Sequence, residues 1–148
     1  MGMIVPGLAS ENDPVTLISV WGASHHPHFG AMIETPAAAL SLAALKKHVD
    51  FFSIGSNDLT QYTMAAGREN PMVTEYFTDD HPAVLRLIEL VVKESGDVPV
   101  SLCGELAGRI DVMPSLLRTG IRSLSVPAAL VPDVKNAIRL QSLDGPPS

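Results

Sequence analysis

The sequence is poor in cysteine and in positive charge, and it contains no long apolar run. Its 148 residues include one cysteine, Cys103, which excludes an internal disulfide and suits a reducing compartment. The net charge of −6 gives no electrostatic support for binding nucleic acid or an anionic membrane. No apolar run approaches the length of a membrane span, and the first residues do not resemble a signal peptide. We therefore expect a cytoplasmic protein that binds neither nucleic acid nor membrane.

What the sequence does contain suits a well-packed globular domain. Hydrophobic residues make up 46% of the chain and charged residues only 18%, a balance typical of folded rather than disordered proteins. A chain of this length buries roughly two thirds of its unfolded surface. One domain is the simplest organisation.

The pattern predicts three regions of unequal regularity. Residues 1–28 form an irregular segment with short strands, residues 29–141 a regular domain, and residues 142–148 a flexible tail. In the middle region, short apolar strands alternate with helices four times, which indicates βα units and an α/β fold with a parallel sheet. The four predicted strands read "FGAMIE", "DFFSIG", "VPVSLCG" and "IRSLSV". After the first of them, an alanine- and leucine-rich helix is predicted from Pro36 to about His48, with Pro36 in its first turn.

Polar residues collect where these strands end. Glu34 closes the first strand, Asn57 and Asp58 follow the second, and Cys103 and Glu105 close the third. In parallel α/β folds the carboxyl ends of the strands share one edge, where ligand-binding groups gather. We therefore expect a site at that edge.

Two carboxylates at this edge could hold a metal ion. Glu34 and Asp58 end neighbouring strands, and Mg²⁺ prefers carboxylate oxygens and takes further ligands from a phosphorylated substrate. Mn²⁺ and Ca²⁺ suit the same oxygen ligands. The alternative is that Asp58 only caps a helix over residues 59–66 while Glu34 pairs with a lysine.

An amide, an arginine and a thiol complete the candidate site. Asn57 and Arg68 could bind an anionic ligand, since arginine matches phosphate and carboxylate with a planar fork; alternatively, Arg68 is solvated. Cys103 lies in "SLCGELAG" and could act as acid, base or nucleophile, or be a buried, inert thiol. Nearby, His81 is predicted to cap a helix, and Asp79 and Asp80 to form a solvated turn.

Several long motifs, in order, resemble one known family. They read "GAMIETPAAAL", "DFFSIGSNDLTQYTMAAGREN", "DDHPAVLRLI", "SLCGELAG" and "IRSLSV". Together they resemble the C-terminal part of enzyme I of the bacterial phosphoenolpyruvate:sugar phosphotransferase system. More distant relatives are pyruvate phosphate dikinase and phosphoenolpyruvate synthase.

The resemblance implies a (β/α)₈ phosphoenolpyruvate-binding barrel, of which this chain would supply the last four βα units as a half-barrel. It also implies roles for single residues. Glu34 and Asp58 would ligate Mg²⁺, and Asn57 and Arg68 would hold phosphoenolpyruvate. Cys103 would protonate the enolate as pyruvate forms.

The resemblance also implies parts that this sequence does not contain. The family's phosphorylated histidine lies on a separate N-terminal domain, and two further phosphate-binding arginines lie in the other half of the barrel. We therefore expect phosphoryl transfer to histidine only with a histidine phosphocarrier or a complementary N-terminal half in trans.

Two rival hypotheses follow from the residues alone. One is a metal-dependent hydrolase of a small ester or lactone, with Cys103 as a possible nucleophile. The other is a non-catalytic interaction or regulatory module. The open edges of a half-barrel favour a partner, and we predict a homodimer or pairing with a complementary half-barrel.

Overall fold

The computed structural model describes residues 28–67 and 69–141. In this part the chain folds as mixed α and β structure around a parallel sheet, as the alternating pattern predicted. The sheet has the order β1 (Gly30–Ile33), β2 (Phe51–Gly55) and β3 (Val100–Cys103). The predicted tail at 142–148 and nearly all of the predicted N-terminal segment lie outside the described residues. Arg68 also lies outside them.

The strands are paired in a register that aligns their carboxyl ends. Ile33 pairs with Ile54, and Ile54 pairs with Leu102. Because all pairs are parallel, the residues that follow the three strands emerge at one edge of the sheet. The predicted edge is therefore present.

The fourth predicted strand is reduced to a single bridge. Leu124 pairs with Leu102 in parallel, with hydrogen bonds from Leu102 N to Ser123 O (2.9 Å) and from Ser125 N to Leu102 O (2.8 Å). Just beyond this point β3 ends, and Gly104 turns the chain away at a φ of 95°. The segment that faces β3 therefore contributes one paired residue, Leu124, and the prediction of a full strand over "IRSLSV" was wrong.

Six helices and three short 3₁₀ turns surround the sheet in the described part. The helices are α1 (Pro36–Leu40), α2 (Leu42–Leu45), α3 (Ser56–Met64), α4 (Pro82–Ser95), α5 (Met113–Arg118) and α6 (Val131–Arg139). The 3₁₀ turns are Thr74–Tyr76, Glu105–Gly108 and Ala128–Leu130. Among residues 28–67 and 69–141, no helix combines the length and apolar character needed to cross a bilayer.

The helix expected from Pro36 to about His48 is broken in two. Thr35 caps α1 through its Oγ1, which accepts a hydrogen bond from Ala38 N at 3.1 Å, and Pro36 occupies the first turn as predicted. At Ser41 the backbone leaves helical geometry, with φ −105° and ψ 17°. The single long helix was therefore wrong, although its start was correct.

Helix α4 covers the sheet with one apolar stripe. Val84, Ile88 and Val91 are fully buried and recur at helical spacing. They join a core that includes Ile33, Phe52, Ile54, Leu102 and Leu106. His81 caps this helix as predicted, because its Nδ1 accepts a hydrogen bond from Ala83 N at 3.1 Å. The packed core holds the three strand ends, and so the site, in place.

Candidate functional site

The site is built from the segments that follow the three strands. Glu34 comes directly after β1, α3 begins directly after β2, and Gly104 comes directly after β3. Helix α3 begins at Ser56, three residues earlier than predicted, with Gly55 as its N-cap. Asp58 therefore lies within the first turn and does not cap the helix, so that alternative was wrong. In the first turn its carboxylate is near the positive end of the helix dipole.

Glu34 lies directly over Gly55 of the neighbouring strand. A Cβ atom on Gly55 would be 2.7 Å from both Cγ and Oε1 of Glu34, so any side chain at position 55 would displace this carboxyl group. Burial raises the pKa of Glu34 above its ordinary value, and the negative charge of Asp58 raises it further. The two carboxylates therefore act on one another across adjacent strands.

This pair suits a hard divalent cation that keeps part of its own water shell. Across residues 28–67 and 69–141, no group of three or more His, Cys, Asp and Glu side chains forms a ready-made metal cage. Mg²⁺ is usually held by one or two carboxylates together with water and substrate oxygens. Two carboxylates whose mutual repulsion raises a pKa gain stability from a cation placed between them. The donor set therefore fits Mg²⁺.

The side chain of Asn57 is oriented by the segment after β3. Its Oδ1 accepts a hydrogen bond from the backbone N of Glu105 at 3.1 Å and lies 3.5 Å from Ser56 Oγ. Since the backbone N–H can only donate, the network assigns the oxygen to this side of the amide. The Nδ2 group then remains to donate to a ligand in the cleft that Asn57 lines.

Gly104 allows this close approach of the two segments. Its φ of 95° lies in a region that residues with a side chain rarely adopt. A Cβ atom there would collide with Ser56 Oγ and lie 3.0 Å from Asn57 Oδ1. The contact between Glu105 and Asn57 therefore depends on a glycine at position 104.

Cys103 is half-buried and lines the same cleft. Its Sγ lies 3.4 Å from the carbonyl oxygen of Ile54, to which the thiol donates, and accepts from Ser53 Oγ at 3.6 Å. The thiol is thus not fully buried, and its two partners among the described residues are a hydroxyl group and a carbonyl oxygen. Because neither partner can act as a base that removes the thiol proton, the geometry lends the cysteine-nucleophile hypothesis no support.

The cleft beside these residues has a volume of about 570 Å³. Its lining combines apolar side chains from the segment that follows the bridge with polar groups from the ends of β2 and β3. The lining residues are Asn57, Cys103, Gly104, Glu105, Gly108, Arg109, Ser125, Val126, Pro127 and Leu130. A small ligand there could therefore meet both apolar and polar groups.

Arg109 is a charged residue of the cleft that no motif in the sequence predicted. Its guanidinium forms ion pairs with Asp79, Asp80 and Asp111. A hydrogen bond to Asp111 and the interactions with Asp79 raise the pKa of Arg109, against the opposing effect of burial. The same hydrogen bond lowers the pKa of Asp111. The prediction that Asp79 and Asp80 form a merely solvated turn was wrong, because both pair with Arg109. Arg109 lies 30 positions from Asp79 in the sequence, and no local pattern reveals a partner at that distance.

Comparison with known proteins identifies one family. Residues 18–143 match the family described as PEP-utilising enzyme, PEP-binding domain. The chain is 48% identical over 118 residues to a phosphoenolpyruvate-protein phosphotransferase of Haloferax volcanii, covering 78% of this chain and 21% of that protein. It is 45% identical over 112 residues to the phosphotransferase of the same name from Haemophilus influenzae, covering 74% and 20%.

A third relative carries a different name. The chain is 41% identical over 113 residues to a probable phosphoenolpyruvate synthase of Methanocaldococcus jannaschii, covering 74% of this chain and 10% of that protein. The chain thus spans at most 21% of the length of these three relatives. The family match covers most of the chain and includes every residue at the carboxyl edge of the sheet. This chain belongs to the PEP-utilising enzyme family, in its PEP-binding domain.

Proposed function

We propose that this chain binds Mg²⁺ and phosphoenolpyruvate at the carboxyl edge of its sheet, as part of a phosphoenolpyruvate-protein phosphotransferase-like site. One observation carries the proposal: Glu34, Asn57, Asp58 and Cys103 all lie where three adjacent parallel strands end. The names of the relatives support the substrate class. The fit of the donor set to Mg²⁺ supports the metal.

Glu34 and Asp58 would hold the metal ion. Mg²⁺ is the first choice, and Mn²⁺ or Ca²⁺ would suit the same oxygens. When bound, the ion would supply the positive charge that an anionic ligand needs in this acidic site. The carboxylates themselves fix where that charge lies, because the packing of β1 against β2 determines their positions.

Asn57 and Arg68 would bind the ligand. Asn57 can donate from Nδ2 to a ligand oxygen, since its Oδ1 is already engaged by Glu105. The role of Arg68 rests on the family resemblance alone. Both groups would act by positioning an anionic ligand before reaction, which reduces the entropy cost of the transfer step.

Cys103 would supply a proton on the pyruvate side of the reaction. As the phosphoryl group leaves to an acceptor histidine, the methylene carbon of the substrate takes up a proton to give pyruvate. The thiol, which lines the cleft, would donate that proton and be reprotonated from solvent. The hydrogen bond from Sγ to Ile54 O would be exchanged for the ligand during this step.

A histidine phosphocarrier or a complementary N-terminal half in trans would supply the phosphoryl acceptor. We further propose that the three strands, with the bridged segment at Leu124 in the place of a fourth, form half of a (β/α)₈ barrel and that a second copy covers the open side as a homodimer. Within the described residues, β1 is paired only with β2, and an edge strand is the place where a second copy would add to the sheet.

Binding is tested by titration calorimetry of phosphoenolpyruvate and of oxalate, an enolpyruvate mimic, with and without Mg²⁺. We expect saturable binding that requires the metal and is lost in Asp58→Ala. Asp133→Ala is the matched control, because Asp133 is also an acidic residue in the first turn of a helix, α6, but is not among the residues that line the cleft. No metal-dependent binding by the folded wild type would contradict the proposal.

The oligomeric state has its own measurement. Light scattering after size exclusion, from low to high micromolar protein, should show twice the monomer mass of 15.7 kDa. A single monomeric species over the whole range would contradict the homodimer without affecting the binding proposal.

A further inference from the structure

Arg109 connects two segments that are distant in sequence. Its Nη1 pairs with Asp79, and its Nη2 lies 3.5 Å from Asp80 Oδ2; both aspartates lie just before α4. Its Nε donates to Asp111 Oδ1 at 3.3 Å on its own loop. The side chain of Asp79 is 14% exposed and that of Arg109 34%. This ion pair is therefore shielded from solvent more than a typical surface pair, so water and salt screen its attraction less.

Arg109 also ends the turn that orients Asn57. The turn Glu105–Gly108 has Gly104 before it and Arg109 after it. Leu106 and Ala107 anchor its middle in the core, since both are fully buried. Its first residue, Glu105, donates its backbone N–H to Asn57 Oδ1. The turn is therefore held at one end by the Arg109 ion pairs and at the other by contact with Asn57.

The charges argue against direct ligand binding by Arg109. Three carboxylates surround one guanidinium, so the cluster as a whole is negative. A phosphate or carboxylate group approaching it would meet repulsion rather than a free cation. The donors of Arg109 are also already directed at protein oxygens. Its contribution to the cleft must then act through the residues that it holds.

We infer that Arg109 is a positioning residue, which holds the Glu105–Gly108 turn so that Asn57 keeps its N–H groups directed to an anionic ligand. The identity of the ligand in this inference rests on the proposed function, whereas the effect of Arg109 on the turn and on Asn57 does not. Without the ion pairs, the Glu105 N–H can leave Asn57 Oδ1. The amide is then free to rotate and present its oxygen, which an anion repels.

Arg109→Gln tests the inference with readouts that need no ligand. Nuclear magnetic resonance measures hydrogen exchange of the Glu105 backbone amide and the chemical shifts of the Asn57 side-chain amide. We expect faster exchange at Glu105 and shifted Asn57 resonances in Arg109→Gln. We expect the same direction in Asp79→Asn, and partial recovery in Arg109→Lys, which keeps the charge but not the planar fork.

Arg86→Gln is the matched control. It breaks the exposed pair of Arg86 and Glu89 on α4, so it removes an arginine and an ion pair without touching the turn. Glu105 exchange and Asn57 resonances should stay at wild-type values in this variant. The double variant of Arg109→Gln and Asp79→Asn should be no worse than Arg109→Gln alone, because both changes break one connection.

The ligand readout is oxalate titrated with Mg²⁺. Loss of one oriented donor predicts affinity about 5- to 10-fold weaker in Arg109→Gln. Failure of the wild type to bind oxalate would contradict the proposed function, while the exchange and resonance measurements would still decide the role of Arg109. Unchanged Glu105 exchange and unshifted Asn57 resonances in both Arg109→Gln and Asp79→Asn would overturn the inference. If Arg109→Gln does not fold, Asp79→Asn and Arg109→Lys decide it.

Discussion

The carboxyl group of Glu34 lies against the α-carbon of Gly55, at the position where β1 and β2 end side by side. A Cβ atom on Gly55 would be 2.7 Å from Glu34 Oε1. The backbone of Gly55 has a φ of −86°, which any residue can adopt. The need for glycine is therefore set by the neighbouring carboxyl group, and this relationship can be tested without backbone strain.

Gly55→Ala should weaken metal binding more than it weakens the fold. The added methyl group forces Glu34 away from its position beside Asp58. We expect Mg²⁺ affinity to fall by about 10-fold or more, the scale of effect seen when the support of a metal ligand is lost. Calorimetric titration of Mg²⁺ measures it. Gly67→Ala is the control, because its Cβ would be 3.9 Å from the nearest atoms, which belong to Gln61; an equal loss there would contradict the steric explanation.

The pH dependence of stability should report on Glu34 when metal is removed. Its pKa is raised in the folded state, first by burial and then by Asp58. Because the pKa of Glu34 is raised on folding, its contribution to stability is complete below the unfolded pKa of 4.5. That contribution is lost as the pH rises through the folded pKa. In chelator, the wild type should therefore lose stability relative to Glu34→Gln as the pH rises above that unfolded value.

Thermal unfolding between pH 4 and pH 8 measures this difference. Glu34→Gln should have the higher Tm at neutral pH, and the two proteins should converge at the acid end. Glu75→Gln, at an exposed position on the Thr74–Tyr76 turn, should follow the wild type throughout. Parallel curves for wild type and Glu34→Gln would show that Glu34 carries no such penalty.

Gly104→Ala should destabilise the protein through both strain and collision. The φ of 95° costs a residue with a side chain about 1–3 kcal/mol, and the methyl group would also collide with Ser56 Oγ. The expected fall in Tm is about 5 °C or more. Gly96→Ala separates the two causes, because Gly96 has a φ of 62° but no atom within 4 Å of an added Cβ. If both variants lose the same Tm, the collision contributes nothing.

Thr35→Ala should cost about 1 kcal/mol of unfolding free energy. Its Oγ1 is the side-chain cap of α1 and accepts from Ala38 N. Denaturant unfolding monitored by circular dichroism measures the loss. Ser41→Ala is the comparison, since Ser41 occupies the equivalent position before α2 but makes no side-chain capping bond. A loss at Ser41 as large as that at Thr35 would contradict the capping role.

Local signals in the sequence predicted helix starts better than helix interiors. Pro36 and Pro82 fix the backbone of the residues that begin α1 and α4, and both starts were correct. The break at Ser41 carried no such signal, because an alanine- and leucine-rich segment favours helix on both sides of it. The start of α3 was misplaced for a related reason. Asp58 is a typical cap, but the chain leaves β2 already helical at Ser56.

The sequence by itself determined the α/β class, the parallel sheet and the edge at which Glu34, Asn57, Asp58 and Cys103 lie. It could do so because strand period, turn residues and parallel pairing are set by local chemistry. Only the tertiary structure decided that Glu105 orients Asn57 and that Arg109 binds Asp79. These contacts join segments 48 and 30 positions apart. Such pairs depend on how the packed strands and helices bring loops together, and no short stretch of sequence contains that information.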